Sequence, residues 1–301
     1  MNLINNQLFY VSNSVTYPPF KNGFYLEEYF FNYTKNNNKT KDKNGRLYIP
    51  ALWTNFQIEG WFNNPEIKQK MQNSLDIYIL ENPCNEGYFI VVQHDDGPML
   101  NLPENTIIYG ACSGNIPIPL IYEDNNNTLE NIKNQKKIEY KNKEILCSFV
   151  GTLTHNVRNI CINKLSKVPG FKFSIKQGWS TNIEKNLQDI YIENTIKSKF
   201  TLAPRGYGKS SFRFFEIFKL GTIPIYIWDD IEWLPYKNII DYNKICISIN
   251  ILEIEKLPNI LNEITEDKYN EMLENYNKIK QNFELRSITE YIFEELKNKI
   301  L

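Results

Sequence analysis

Short apolar runs alternate with segments of helical periodicity throughout the second half of this 301-residue sequence. Each run is apolar at successive positions, which is typical of strands that are buried on both faces of a sheet. Strands that alternate with helices join side by side in parallel, because each crossover helix returns the chain to the same edge. The predicted strands are 145–150, 171–175, 199–203, 222–228 and 244–249, and the predicted helices are 156–167, 184–196 and 211–220. The sequence therefore predicts an α/β fold with a parallel sheet.

The first half has the same pattern in a weaker form. Its predicted strands are 7–11, 46–53, 88–93 and 106–111, and its predicted helices are 26–33 and 65–79. A chain of this length holds about two domains, and a polar, Asn- and Lys-rich stretch separates the halves. We predict an N-terminal Rossmann-like domain at 1–125, a linker at 126–143, a second Rossmann-like domain at 144–262 and helices at 263–301. The last of these helices is expected at 289–299, and packing back on the N-terminal domain is one arrangement for the tail.

The charge balance argues against several classes of protein. Lys and Arg number 34 and Asp and Glu number 35, so no net basic field attracts nucleic acid. No apolar run reaches about 18 residues, so no membrane-spanning helix is predicted. The N-terminus lacks the pattern of a secretory signal peptide, and the five cysteines are scattered. We therefore expect a cytoplasmic protein with reduced thiols.

Two adjacent carboxylates follow one strand of the first half, in the sequence His94-Asp95-Asp96-Gly97. Such a pair often belongs to a simple turn. With only two histidines in the chain, however, a zinc site of usual composition is not expected and a carboxylate is the expected general base. Asp95 or its neighbour Asp96 is the predicted catalytic residue. The sequence does not distinguish them, because neighbouring strand residues face opposite ways.

The turn that follows the predicted strand 199–203 has the features of an anion-binding site. Its glycines permit a tight turn whose backbone N–H groups can approach a phosphate, and its serines can cap the next helix. Its cationic side chains bring full charges to the same place. The residues predicted to bind an anion there are Arg205, Gly206, Lys209, Ser210 and Ser211.

Arg213 and Glu216 lie on one stripe of the next helix, and phenylalanines occupy its other faces. Burying an ionised side chain in a helix costs free energy unless the charge is paired with an opposite charge or binds a ligand. One interpretation is an Arg213–Glu216 ion pair with no further role. The other is that Arg213 binds a phosphate group and Glu216 accepts hydrogen bonds from ribose hydroxyls. A second turn, with Gly151 and Arg158, would supply the other side of a diphosphate clamp.

A P-loop is an alternative interpretation of the same region. Residues 203–210 fit a permissive form of that motif, and the strand that ends at Asp229 imitates one that ends in a magnesium-binding carboxylate. The strict motif, however, requires glycine where Ala203 stands. We expect Asp229 and Asp230 to form a turn or a helix cap instead.

Four segments together resemble the exostosin family of glycosyltransferases. They are SKFTLAPRGYGKSSFRFFEIFKLGTIPIYIWDD at 198–230, LPYKNIIDYNKICISI at 234–249, FVGTLTHNVR at 149–158 and VVQHDDGP at 91–98. The resemblance covers about 88–249. The chain also looks like the short, soluble forms found in large DNA viruses, which implies the cytoplasm of a host cell.

The resemblance implies a GT-B fold, in which two Rossmann-like parallel-sheet domains face a cleft. It also implies an inverting transfer from a nucleotide sugar to a glycan hydroxyl, with no metal and no other cofactor. The donor would be a UDP-sugar, with UDP-xylose as one candidate. Arg158, Arg205 and Arg213 would stabilise the leaving diphosphate, Glu216 would hold the ribose, and the carboxylate pair would supply the base. A non-catalytic nucleotide- or sugar-binding module is the remaining alternative.

Overall fold

The computed structural model describes residues 1–12, 15 and 17–294, which form two compact units. Among these residues, unit 1 comprises 1–12, 15, 23–123 and 282–294, and unit 2 comprises 17–22 and 124–281. Each unit contains a parallel sheet with helices. The predicted α/β class is therefore confirmed, and each unit draws its residues from more than one part of the chain.

The sheet of unit 1 has four parallel strands in the order β1-β2-β3-β4. They are β1 (Leu47–Tyr48), β2 (Tyr88–Val92), β3 (Thr106–Gly110) and β4 (Ile116–Pro117). The helices of this unit are α1 (Leu26–Asn37), α2 (Trp53–Gln57), α3 (Pro65–Glu81) and, from the far end of the chain, α10 (Leu285–Phe293). Every residue of β2 is buried, as its unbroken apolar sequence predicts.

Two strand predictions in the first half are wrong. Residues 7–11 form a 3-10 helix, Gln7–Tyr10, whose N-cap Asn6 accepts a hydrogen bond from the backbone N–H of Leu8. The stretch 46–53 contributes only the two residues of β1, and Trp53 begins α2. Both stretches are apolar because they are buried, and short apolar runs do not distinguish strand from helix.

The sheet of unit 2 has five parallel strands in the order β6-β5-β7-β8-β9. They are β5 (Ile145–Gly151), β6 (Phe171–Ile175), β7 (Ser198–Pro204), β8 (Ile223–Trp228) and β9 (Ile247–Asn250). The helices are α4 (Thr128–Gln135), α5 (Asn156–Leu165), α6 (Lys185–Lys197), α7 (Phe212–Lys219), α8 (Leu257–Glu263) and α9 (Glu266–Ile279). The direction of strand order reverses between β5 and β7, and ligands of such sheets bind at this reversal.

The C-terminal helices are divided between the units. α9 buries Tyr269, Met272 and Tyr276 in unit 2, and the Tyr276 ring stacks on Phe218 at 3.8 Å. α10 belongs to unit 1, where Phe293 stacks on Phe30 at 5.3 Å. The helix predicted at 289–299 thus begins earlier, at Leu285, and the prediction beyond residue 294 lies outside the described residues.

The stretch 126–143, predicted as a linker, contains α4 and is part of unit 2. At its end Lys143 is buried, and its Nζ donates hydrogen bonds to the carbonyls of Ile196 (2.7 Å) and Ser198 (2.9 Å) and to Thr222 Oγ1 (3.3 Å). Burial lowers the pKa of this ammonium to about 8. Lys143 therefore ties the start of β5 to the end of α6 and to the segment before β8.

We expect Lys143→Met to lower the free energy of unfolding by about 1–3 kcal/mol, because it leaves buried oxygens without their donor. Urea unfolding followed by circular dichroism measures this change. Lys141→Met is the matched control, since Lys141 is exposed and pairs only with exposed Glu139; exposed pairs contribute about 0–1 kcal/mol. Equal losses in the two variants would contradict the structural role of Lys143.

Candidate functional site

The predicted anion-binding residues of unit 2 converge at the carboxyl ends of β5 and β7. Ser148 pairs with Thr201 in the sheet, so the ends of the two strands, Gly151 and Pro204, come to the same edge. The turn after β5 (residues 152–155, the β5 turn) leads into α5, and the turn after β7 (residues 205–211, the β7 turn) leads into α7. This edge is also where the strand order reverses, which is the usual ligand position in such sheets.

Arg158 joins the two turns. Its side chain donates from Nη1 to the carbonyl of Thr152 (2.9 Å), from Nε to that of Arg205 (3.0 Å) and from Nη2 to that of Pro204 (3.4 Å). Arg158 is only 7% exposed. Because these donors bind protein carbonyls, Arg158 positions the turns, and the direct diphosphate contact predicted for it stays a prediction.

Two glycines make room for guanidinium groups. A Cβ on Gly151 would lie 2.6 Å from Nη1 of Arg213, a distance that carbon and nitrogen atoms without a bond do not adopt. A Cβ on Gly206 would lie 3.3 Å from Nη2 of Arg158. At each of these two predicted positions an arginine side chain approaches the backbone closely. A residue with a Cβ would crowd that side chain, so glycine fits there.

Arg205 has partners that the sequence did not reveal. Its Nη1 donates to Asp229 Oδ1 (2.7 Å) and to Asp230 Oδ1 (3.0 Å), and its Nη2 donates to the carbonyl of Tyr207 (2.9 Å). Lys209 Nζ lies 3.4 Å from Asp230 Oδ2. Asp229 and Asp230 form a bend directly after β8, and the carboxylate of each accepts a hydrogen bond from the next backbone N–H. They also neutralise part of the cationic charge, a role that the sequence did not indicate.

His155 is a further site residue that was not predicted. It is the N-cap of α5, where Nδ1 accepts from the backbone N–H of Val157 (3.3 Å), and its Nε2 lies 3.9 Å from Asp229 Oδ2. Burial and then the Arg205 charge lower its pKa, and Asp229 opposes them. The neutral form of His155 is therefore favoured beside the arginine.

Arg213 lies against aromatic rings. Its guanidinium carbon is 5.6 Å from the centre of the Phe149 ring and 5.5 Å from that of Tyr191, which are cation–π distances. Glu216, one turn further along α7, is 6% exposed. Burial and then the Glu216 carboxylate raise the pKa of Tyr191, while Arg213 lowers it, so Glu216 and Arg213 both lie beside Tyr191.

The serines of the β7 turn differ from the prediction in one respect. Ser211 is the N-cap residue of α7 by position, but its side chain makes no capping hydrogen bond in the described structure. Ser210 and Ser211 are half-buried next to the first turn of the helix. Their hydroxyls stay candidates for phosphate contact.

The charged groups of the site nearly balance. Its four cationic side chains and three carboxylates are Arg158, Arg205, Lys209 and Arg213, and Asp229, Asp230 and Glu216. The excess is one positive charge, with His155 neutral. The binding of a diphosphate would therefore depend more on the positions of individual cationic side chains than on a broad positive field.

The predicted bases Asp95 and Asp96 lie in unit 1, directly after β2, and both are exposed. The backbone N–H of Asp96 donates to His94 Nδ1 (3.2 Å), and the N–H of Gly97 donates to the carbonyl of His94 (3.1 Å). Gly97 has a φ of +73°, the left-handed region that favours glycine. The two carboxylates thus lie on a tight turn at the carboxyl edge of the sheet of unit 1.

A buried carboxylate, which sequence reasoning missed, holds the end of β2. Glu27 accepts hydrogen bonds from Thr54 N (2.8 Å), Thr54 Oγ1 (2.7 Å) and Gln93 N (3.0 Å). Burial is the main cause that raises its pKa to about 7. Gln57 supports the same turn, donating to the carbonyl of Gly97 (2.9 Å) and accepting from the N–H of Met99 (2.7 Å). The turn that carries Asp95 therefore rests on buried polar groups.

The chain is similar to one family model and to two curated proteins. A family model described as the exostosin GT47 domain matches residues 103–264. The chain is 31% identical over 101 residues to a protein of Arabidopsis thaliana named "Probable glycosyltransferase", covering 33% of this chain and 21% of that one. It is 31% identical over 118 residues to the exostosin-1 homolog of Caenorhabditis elegans, covering 36% and 30%. The matches thus span less than a third of either curated relative.

Among solved structures, sucrose-phosphate synthase from Thermosynechococcus elongatus has a TM-score of 0.38 and 11% identity. That match covers 82% of this chain and 63% of the other. Within residues 1–12, 15 and 17–294, no helix is both long enough and apolar enough to cross a membrane.

We expect Gly151→Ala to weaken binding of pyrophosphate by about 10- to 150-fold, since the added methyl group displaces the Arg213 guanidinium and a charge-assisted hydrogen bond is worth about 1.5–3 kcal/mol. Isothermal titration calorimetry measures this affinity. Gly60→Ala is the matched control, because a Cβ there meets nothing within 4 Å. Unchanged affinity in Gly151→Ala would show that Arg213 does not bind the anion.

Proposed function

Because the chain belongs to the exostosin GT47 family, we propose that it is a glycosyltransferase that moves a sugar from a nucleotide-sugar donor to a hydroxyl of a glycan acceptor. The observation that carries the proposal is the position of Arg213 at the reversal of strand order in unit 2. Its guanidinium fits beside the backbone of Gly151 and lies against two aromatic rings. The matched family region, 103–264, contains all the residues of that cluster. The Arabidopsis relative is itself named a glycosyltransferase.

In the proposed complex, the diphosphate of the donor lies against the β7 turn and the first turn of α7. Arg213 and Lys209 supply positive charge there, and the N-terminal end of α7 adds its partial charge. Arg158 and Arg205 hold the two turns in register through backbone carbonyls and the Asp229–Asp230 pair. Glu216 accepts hydrogen bonds from the ribose hydroxyls.

The proposed reaction is a single displacement with inversion and without a metal ion. The acceptor oxygen forms a bond to the anomeric carbon while the bond from that carbon to the diphosphate oxygen breaks. The acceptor proton passes to Asp95 or Asp96, and the electron pair of the broken bond leaves with the diphosphate. Arg213 stabilises the charge that develops on the leaving group, the role that a metal has in other transferases.

We propose a UDP-sugar as donor, with UDP-xylose as one candidate for its identity. The P-loop alternative lacks support from the geometry, because Asp229, the carboxylate that would have to bind magnesium, is an ion-pair partner of Arg205. A non-catalytic binding module would share the proposed UDP site, so turnover separates it from an enzyme.

UDP is expected to raise the melting temperature of the protein in the presence of EDTA, whereas ATP with magnesium is expected to have no such effect. Arg213→Ala and Glu216→Ala should each weaken UDP binding by at least about tenfold, since each removes contacts to a charged group. Arg286→Ala is the control for loss of an exposed arginine, because Arg286 pairs only with Glu290 on α10. Binding of ATP, with hydrolysis that requires magnesium, would contradict the proposal.

Asp95→Asn or Asp96→Asn is expected to lower turnover by about 10²–10⁴-fold, the usual contribution of a general base, while UDP affinity is unchanged. Release of UDP in the presence of donor and acceptor measures turnover. Asp76→Asn is the control, since Asp76 is exposed on α3 and accepts a hydrogen bond from Gln72. Full turnover in both variants would assign the base to another residue, and absence of turnover in the unmodified protein would favour the non-catalytic module.

A further inference from the structure

Residues 17–22 belong to unit 2, although the chain before and after them belongs to unit 1. Within this segment, Phe20 stacks on Tyr191 with ring centres 6.1 Å apart. The Tyr17 ring lies edge-to-face with Trp179 at 5.7 Å and with Phe212 at 6.3 Å. Residues far apart in sequence thus build one aromatic group beside the start of α7.

Tyr17 faces the charged part of the site. Burial raises the pKa of its phenol, the Arg213 charge lowers it, and the Glu216 carboxylate raises it. The indole of Trp179 also lowers the pKa of this phenol. Tyr17 therefore lies within electrostatic range of the two groups proposed to bind the diphosphate and the ribose, and its ring contacts Trp179.

Trp179 is 56% exposed, which is unusual for so large an apolar side chain. It lies on the loop after β6, at the carboxyl edge of the sheet. In the sheet, β6 is followed by β5, β7 and β8, and the segment after each of these strands also exposes one large apolar side chain. These side chains are Leu153 after β5, Tyr207 after β7 and Ile231 after β8. An apolar rim around a charged centre is the composition of a ligand site.

We propose that Trp179, positioned by Tyr17, stacks on the base of the nucleoside diphosphate whose phosphates lie at Arg213. This inference rests on the proposed function, since it takes the donor to be a nucleotide sugar. The base is the one planar aromatic part of such a donor, and it is attached to the ribose assigned to Glu216. An indole held by a T-shaped contact with Tyr17 offers its open surface with little loss of side-chain freedom.

The test compares two probes, UDP and pyrophosphate, because only UDP carries a base. Trp179→Ala should weaken UDP binding by about 5- to 150-fold, the range for loss of one base–aromatic stack, and leave pyrophosphate binding unchanged. Trp179→Phe keeps a ring and should restore most of the UDP affinity. Tyr17→Phe keeps the ring that contacts Trp179, so it should weaken UDP binding less than Tyr17→Ala. Phe24→Ala removes an exposed ring in unit 1 and is the matched control.

Each outcome distinguishes the inference from the proposed function. If the unmodified protein binds UDP but Trp179→Ala binds it equally well, the stacking role is wrong and the glycosyltransferase proposal stands. Equal losses for UDP and pyrophosphate would make Trp179 a structural residue, which also overturns the inference. If the unmodified protein binds neither probe, both the inference and the proposed function fail.

Discussion

The candidate site depends on the guanidinium of Arg158. Two turns from neighbouring strands must approach each other closely for their side chains to act together, and their carbonyls would otherwise repel. Arg158 places donors between them, and its burial makes these hydrogen bonds stronger than they would be in water. The sequence motif predicts that Arg158 binds phosphate, but in the structure its side chain donates hydrogen bonds to the backbone of both turns.

The position of this site could be predicted because it follows from local patterns. Unbroken apolar runs identify the strands of unit 2, and turns with glycine and arginine follow two of them; parallel order then brings the turns to one edge. The partners within the site were not accessible in the same way. Asp229 lies 24 residues from Arg205, and their contact depends on the pairing of β7 with β8. A carboxylate at the end of a strand does not indicate, from sequence alone, which cationic side chain will be its ion-pair partner.

The errors in unit 1 have a different cause. The stretches 7–11 and 46–53 are apolar because they pack in the core, yet one is a 3-10 helix and the other ends in an α-helix. Glu27 was missed since a carboxylate at the start of a helix is ordinarily a surface residue. Only the tertiary structure reveals that Thr54 and Gln93 surround it. The stretch 126–143 is polar, and its sequence therefore predicts a linker. It nevertheless contains a helix, α4, because a helix with few apolar residues gives little periodic signal.

The segment with Tyr17 and Phe20 has a consequence for any attempt to study unit 2 alone. A fragment that starts at residue 124 would contain the whole five-stranded sheet and most of the region that matches the family, but neither of these two rings. Tyr191 would lose its stacked partner, and water would reach the apolar surface beneath Arg213. Since a cation near an aromatic ring is held more weakly once the ring is solvated, such a fragment would fold around an altered site. Residues 17–22 supplied as a separate peptide would restore the missing rings of unit 2.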